Sequence, residues 1–188
     1  MSKAFTREGD GDGPDDDDDL PPGEPAPPSA KNLMTRGGYD TLRLELTRLL
    51  REDRPRIVEI VSWAAGNGDR SENGDYIYNK KKLREIDRRV RYLTKRLEDA
   101  EIVDISKQKN LDRVFFGASV VYERENGTRS SVTLVGVDEA DFSKGKINWQ
   151  SPVGRALMKA RAGDEVEVRT ESGLEYLLIL SVSYDAPA

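Results

Sequence analysis

Apolar positions recur along the middle of the chain with a helical period and along its last third with a strand-like one. Tyr39, Leu42, Leu46, Leu49 and Leu50 keep a helical spacing, and Ile57, Ile60, Val61 and Ala64 continue it beyond Pro55. Pro55 lacks an amide donor, so the arm is expected to kink or restart between Asp53 and Pro55. Gly66-Asn67-Gly68 is expected to end it, because glycine accepts the left-handed conformation of a helix C-cap. Ser71 reads as the cap of a second helix, with Asn73 and Asp75 near its positively polarised start. In that helix Leu83, Ile86, Val90, Leu93 and Leu97 step alternately by three and four residues, a heptad seam. Two striped arms joined by a short polar turn bury their stripes against each other. An antiparallel coiled-coil hairpin is therefore predicted over 33–106, with its tip at 67–75. At a rise of about 1.5 Å per residue it forms a stalk roughly 40 Å long.

The last third reads as a small domain over 107–188, entered through a linker from Ile105 to Asn110. Val114 to Glu125 and Ser130 to Val137 are predicted strands around the hairpin turn Asn126-Gly127. Ser151-Pro152 opens a short helix with Ala156, Leu157 and Ala160 on its apolar side and Gly163-Asp164 at its end. Glu165 to Thr170 and Glu175 to Tyr184 form a second predicted hairpin. Strands, helix and strands in this order give an α+β class. Residues 1–32 carry the run Asp15 to Asp19 and then Pro21, Pro22, Pro25, Pro27 and Pro28. So few apolar residues cannot offset the entropy of ordering, and a disordered tail is predicted. Two roles suit it: a solubilising leader, or an acidic segment that folds back on a basic stalk.

Charge sharpens this picture. Residues 1–30 hold nine acids and two bases, 31–110 fourteen acids and nineteen bases, and 111–188 twelve acids and nine bases. The middle segment is thus the candidate for an anionic partner. Within it Lys80, Lys81, Lys82, Arg84, Arg88, Arg89, Arg91, Lys95 and Arg96 face only Glu85 and Asp87 between positions 80 and 96. Such an excess suits phosphate contacts and salt-dependent binding. Tyr76 and Tyr78 fit either base stacking or packing at the start of the helix. The chain has no histidine and no cysteine, which excludes imidazole catalysis, thiolate metal sites and disulfides. No apolar run approaches the roughly 20 residues of a membrane span, and the N-terminus lacks the apolar core of a signal peptide. A cytoplasmic protein is expected.

The turn itself carries the candidate chemistry. Asp69 and Glu72 are two carboxylates three residues apart at the end of a stalk. Oxygen donors of this kind suit Mg²⁺, which keeps several waters, but two carboxylates leave its shell incomplete. The remaining ligands are expected from a partner.

The stretch from Gly68 to Tyr76, the run Tyr78-Asn79-Lys80-Lys81-Lys82-Leu83-Arg84-Glu85-Ile86-Asp87-Arg88-Arg89-Val90-Arg91-Tyr92-Leu93, Val114 to Ala118 and Ser151 to Leu157 together resemble the Gre transcript cleavage factors, closest to the GreB branch. The likeness spans roughly 33–184. It implies a C-terminal FKBP-like domain that docks at the rim of the secondary channel of bacterial RNA polymerase, with the coiled coil inside that channel. Asp69 and Glu72 would then help to hold a shared Mg²⁺ at the polymerase active site. Ser71 would position the water, unless it serves only as a helix cap. Lys80, Lys81, Lys82, Arg84 and Arg88 would meet the 3′ segment of the nascent RNA. On this reading the chain is no enzyme itself. It stimulates the polymerase's own cleavage of backtracked RNA, and a stalk that must enter a channel implies a monomer. Gly74 departs from the family's usual alanine, and Trp149-Gln150 from its aliphatic–acidic pair. Two rivals stand beside this reading: a channel-binding regulator that does not stimulate cleavage, and an autonomous nuclease or prolyl isomerase.

Overall fold

The computed structural model describes residues 31–66, 73–170 and 173–184. The acidic, proline-rich leader and the residues Asp69, Ser71 and Glu72 lie outside them.

Strand β1 (Asn32–Thr35) turns directly into helix α1 (Arg36–Arg48). Thr35 makes the corner, since its Oγ1 accepts from the Gly38 amide at 3.0 Å and so caps the helix. A π-helical turn, Leu49–Asp53, joins α1 to α2 (Arg54–Ala65), and the Arg54 amide reaches back to the Leu49 carbonyl. The kink or restart expected at Pro55 is thus a widened turn inside an uninterrupted helical arm. Pro55 is the second residue of α2, and the π turn before it opens the coil where its ring would otherwise meet a carbonyl.

Two details of the hairpin end differ from the sequence reading. α2 ends at Ala65, just before Gly66-Asn67-Gly68, but Gly66 itself has φ −86° and ψ −11°, a right-handed conformation that any residue adopts, and Gly68 lies outside the described residues. The second helix, α3 (Gly74–Glu98), is capped by Asn73 and not by Ser71. Asn73 does two jobs through two separate atoms of its longer side chain. Its Oδ1 accepts from the Tyr76 amide at 3.1 Å, and its Nδ2 donates to the Ala64 carbonyl at 2.9 Å.

The arms run antiparallel. Ile57, Ala64, Ile86 and Leu93 are buried between them, with Leu83, Val90 and Leu97 half-buried along the seam. Leu49 turns inward and Leu50 outward. Arg54 Nε meets Asp87 at 2.8 Å, and Arg89 grips Glu45 through Nε and Nη2 at 2.7 and 2.8 Å. At the foot, Met34, Leu42 and Leu93 form a small core supported by Tyr39, Leu46 and Ala100. Here the chain departs from a purely helical hairpin. Strand β2 (Ala100–Val103) pairs in parallel with β1, Asn32 opposite Ala100.

The C-terminal part is one mixed sheet in the order β5-β4-β3-β7-β6. Its strands are β3 (Ser119–Arg124), β4 (Arg129–Val135), β5 (Lys146–Asn148), β6 (Glu165–Thr170) and β7 (Gly173–Ser183). Only β5 runs parallel to its neighbour, and β3 and β4 turn through Gly127 at φ 77° as Asn126-Gly127 predicts. Val120, Leu134, Leu177 and Ile179 fill the buried face. Helix α4 (Pro152–Leu157) opens on Ser151, whose Oγ accepts from the Gly154 amide at 3.0 Å. It ends at Leu157, earlier than Gly163-Asp164 suggests, because the chain turns out through Lys159 at φ 71°. A Cβ on Gly154 would lie 2.5 Å from the Asn148 carbonyl, so this close seat of α4 on the end of β5 requires glycine.

Two adjacent acids join the stalk to the sheet. Glu139 Oε1 accepts from the Thr35 amide at 2.9 Å, and its Oε2 bonds the Thr35 hydroxyl. Asp138 bonds the Tyr92 hydroxyl and accepts from Arg96 Nε at 2.7 Å. One acid holds the start of α1 and the other the end of α3. Among the described residues no helix is long and apolar enough to cross a membrane.

Candidate functional site

The Asn73–Ala64 hydrogen bond ties the two arms at their far end. In sequence, residues 67–72 lie between the tied residues, and Asp69, Ser71 and Glu72 among them are outside the described residues. Just behind it the first turns of α3 carry Tyr76, half-buried with the Lys80 ammonium 5.7 Å from its ring centre, and Tyr78, exposed. Packing thus accounts for Tyr76 and leaves Tyr78 without a structural duty.

The basic residues of α3 divide by face. Lys81, Arg84, Arg88, Arg91 and Lys95 step alternately by three and four, so they share one face of the helix. That face lies away from the seam of Leu83, Ile86, Val90, Leu93 and Leu97. Lys81, Arg88, Arg91 and Lys95 are exposed and Arg84 is half-buried. The result is a base-only stripe that runs about 20 Å along the stalk at 1.5 Å per residue. Like charges this close repel one another, and an anion laid along them relieves that repulsion.

Arg89 and Arg96 do other work. Arg89 is spent on Glu45, and this hydrogen bond holds the Glu45 carboxyl below its usual range while raising Arg89. Arg96 is spent on Asp138. Both belong to the basic excess of the sequence, where their partners 44 and 42 residues away give no sign. Lys82 stands on a third side. It lines a cleft of about 370 Å³ between the arms with Asp53, Arg56, Ile57, Ile60 and Asn79.

At the other end of the molecule, Ser151 and Pro152 open α4 beside the half-buried Trp149. Sequence reasoning missed Phe142, the most exposed large apolar residue among those described, at 83%. It sits on a loop closed by reciprocal Asp141–Lys146 backbone hydrogen bonds of 2.9 Å. Only the Asp-Phe-Ser-Lys-Gly run marks that loop in the sequence, as a turn.

Two family descriptions match the chain: transcription elongation factor, N-terminal, over residues 32–102, and transcription elongation factor GreA/GreB, C-terminal, over 107–184. The transcription elongation factor GreB of Neisseria meningitidis serogroup B is 54% identical over 154 residues, covering 82% of this chain and 94% of the relative. That of Pseudomonas syringae pv. tomato is 50% identical over 153 residues, covering 81% and 97%. Among solved structures, the GreA factor homolog 1 (Gfh1) of Thermus thermophilus aligns at 25% identity with a TM-score of 0.38, covering 81% of this chain and 98% of that one.

Proposed function

We infer that this chain, which belongs to the GreA/GreB family of transcription elongation factors, stimulates RNA polymerase to cleave its own backtracked transcript. The C-terminal part, an FKBP-like domain on this reading, docks at the rim of the polymerase secondary channel. The stalk, an antiparallel coiled coil, enters the channel. Asp69 and Glu72 then bring two carboxylates to the polymerase active site, and Ser71 orients the attacking water. Lys80, Lys81, Lys82, Arg84 and Arg88 bind the phosphates of the extruded RNA 3′ segment. The hydrolytic centre is the polymerase's, so the factor is a monomeric cytoplasmic accessory and not itself a nuclease.

The observation that carries the reading is the tie between Ala64 and Asn73. It closes the arms on each other, and in sequence both acids fall between the two tied residues. The donor chemistry agrees. In a chain without histidine or cysteine, carboxylates are the ligands on offer, and they suit a hard cation. In two-metal hydrolysis one ion activates water and another stabilises the leaving oxygen, and a Mg²⁺ shared with the polymerase would complete that pair. The chain's own residues position that water, hold the RNA and supply negative charge beside the ion.

A backtracked elongation complex with 3′-labelled RNA tests this directly. Wild-type protein is expected to accelerate release of the 3′ fragment. Asp69→Asn combined with Glu72→Gln is expected to abolish the acceleration while polymerase binding persists. Equal rates with wild type, with the double variant and with no factor would overturn the reading in favour of a channel-binding regulator.

A further inference from the structure

Trp63 and Tyr78 are 66% and 67% exposed, although neither lies at a chain end. Tryptophan is highly buried on average, and paired exposure of large aromatics near one end of a stalk marks a contact surface. The two share a flank. Trp63 follows Ile60 by one turn and Arg56 by two, and Tyr78 precedes Lys82 by one turn. Ile60, Arg56 and Lys82 line the same cleft between the arms, so the aromatics extend its two walls toward the tip. The Ala64–Asn73 tie sets their level: Trp63 adjoins Ala64, and Tyr78 lies five residues beyond Asn73. They are therefore about 6 Å apart along the stalk, close to two base steps of a stacked strand at about 3.4 Å each. The cleft beside them is lined by two cations, Arg56 and Lys82, against one acid, Asp53.

We propose that Trp63 and Tyr78 form a stacking platform for unpaired bases of single-stranded RNA, on a flank separate from the basic stripe. Aromatic faces within a positive field are the combination by which proteins hold single strands without reading sequence. A purely apolar protein wall would not call for Arg56 and Lys82 beside the aromatics. The proposal rests on the transcript-cleavage reading for its RNA and adds the base-contacting residues.

The chain's two tryptophans make the site visible. In full-length Trp149→Phe protein, Trp63 is the only tryptophan left. At low salt, a labelled oligoadenylate decamer is expected to bind by anisotropy and to quench Trp63 emission. An abasic sugar-phosphate decamer of equal charge is expected to leave the emission unchanged. Trp63→Leu and Tyr78→Leu, both at exposed positions, should each weaken decamer binding about tenfold. Binding without quenching, equal affinity for the abasic strand, or no binding would each overturn the proposal. So would leucine variants that lose polymerase stimulation at unchanged RNA affinity, which would assign the flank to a protein contact. These readouts need no polymerase, so a failure of the cleavage reading shows separately, as absent stimulation by wild type.

Discussion

Glu139 and Thr35, 104 residues apart, share three groups in one junction: a carboxylate, an amide and a hydroxyl. The Thr35 hydroxyl accepts from Gly38 while bonding Glu139, so the cap of α1 and the tie to the sheet are one network. Gly38 belongs to it as well, since a Cβ there would lie 2.2 Å from the Glu139 carboxyl carbon. Thr35→Val keeps the shape and removes the hydroxyl. It is expected to cost about 1–2 kcal/mol, from a lost cap and a carboxylate oxygen left unpaired. Urea unfolding measures this, and an unchanged midpoint would show that the junction adds nothing to stability.

Gly74 is the first residue of α3, and a Cβ there would meet nothing within 4 Å. Gly74→Ala should therefore stabilise the protein by up to about 1 kcal/mol through a less flexible unfolded chain and better helix propensity. Transcript cleavage should be retained, because the acids are untouched. A fall in thermal midpoint would mean that the turn needs glycine's backbone freedom.

Arg88 and Arg89 are neighbours with opposite expected phenotypes. Arg88 lies on the exposed stripe, so Arg88→Gln should leave folding intact, weaken RNA binding and reduce its salt dependence by close to one phosphate contact. Arg89 is engaged by Glu45. Arg89→Gln should cost about 0.2–1 kcal/mol of stability, as for a partly exposed pair, and change RNA affinity little. Matched unfolding and RNA titrations decide, and interchanged results would refute the division of the helix into faces.

Burial, and then the hydrogen bond to Asp138, raise the Tyr92 hydroxyl above its ordinary value near 10. The folded state therefore holds this proton more tightly than the unfolded chain. The associated stability is complete below the ordinary tyrosine value and is lost as pH rises through the raised one. Tyr92→Phe should flatten the alkaline loss of stability between about pH 9 and 12. The remaining slope belongs in part to Tyr184, which burial also raises. Identical alkaline slopes in variant and wild type would remove Tyr92 from the account.

What the sequence makes legible follows from local spacing. The seam from Leu83 to Leu97, the Asn126-Gly127 turn and the Ser151 cap each declare themselves within a few residues. What it hides depends on distant partners or on a choice between near-equals. Ser71 and Asn73 are both good caps, and only the reach of the Asn73 amide to Ala64 selects one. Arg89 and Arg88 look alike until Glu45 is brought opposite. Strands of four residues, one of them containing Glu101, show no alternation that would reveal a pairing between positions 32 and 100. Trp63 reads as one more apolar position in a helix, although it falls off the stripe of Ile57, Ile60 and Ala64.

The parallel sense of β1 and β2 bears on how far the stalk can extend. Parallel neighbours cannot be joined by a tight turn and need a crossover of about a dozen residues or more. Here the whole hairpin, 36–99, serves as that crossover. The fold thus sets a minimum length for the connection and no maximum. Whole turns added in equal number to α2 and α3 would move the tip outward while leaving both strands paired, so reach is a dimension that can vary without rebuilding the base.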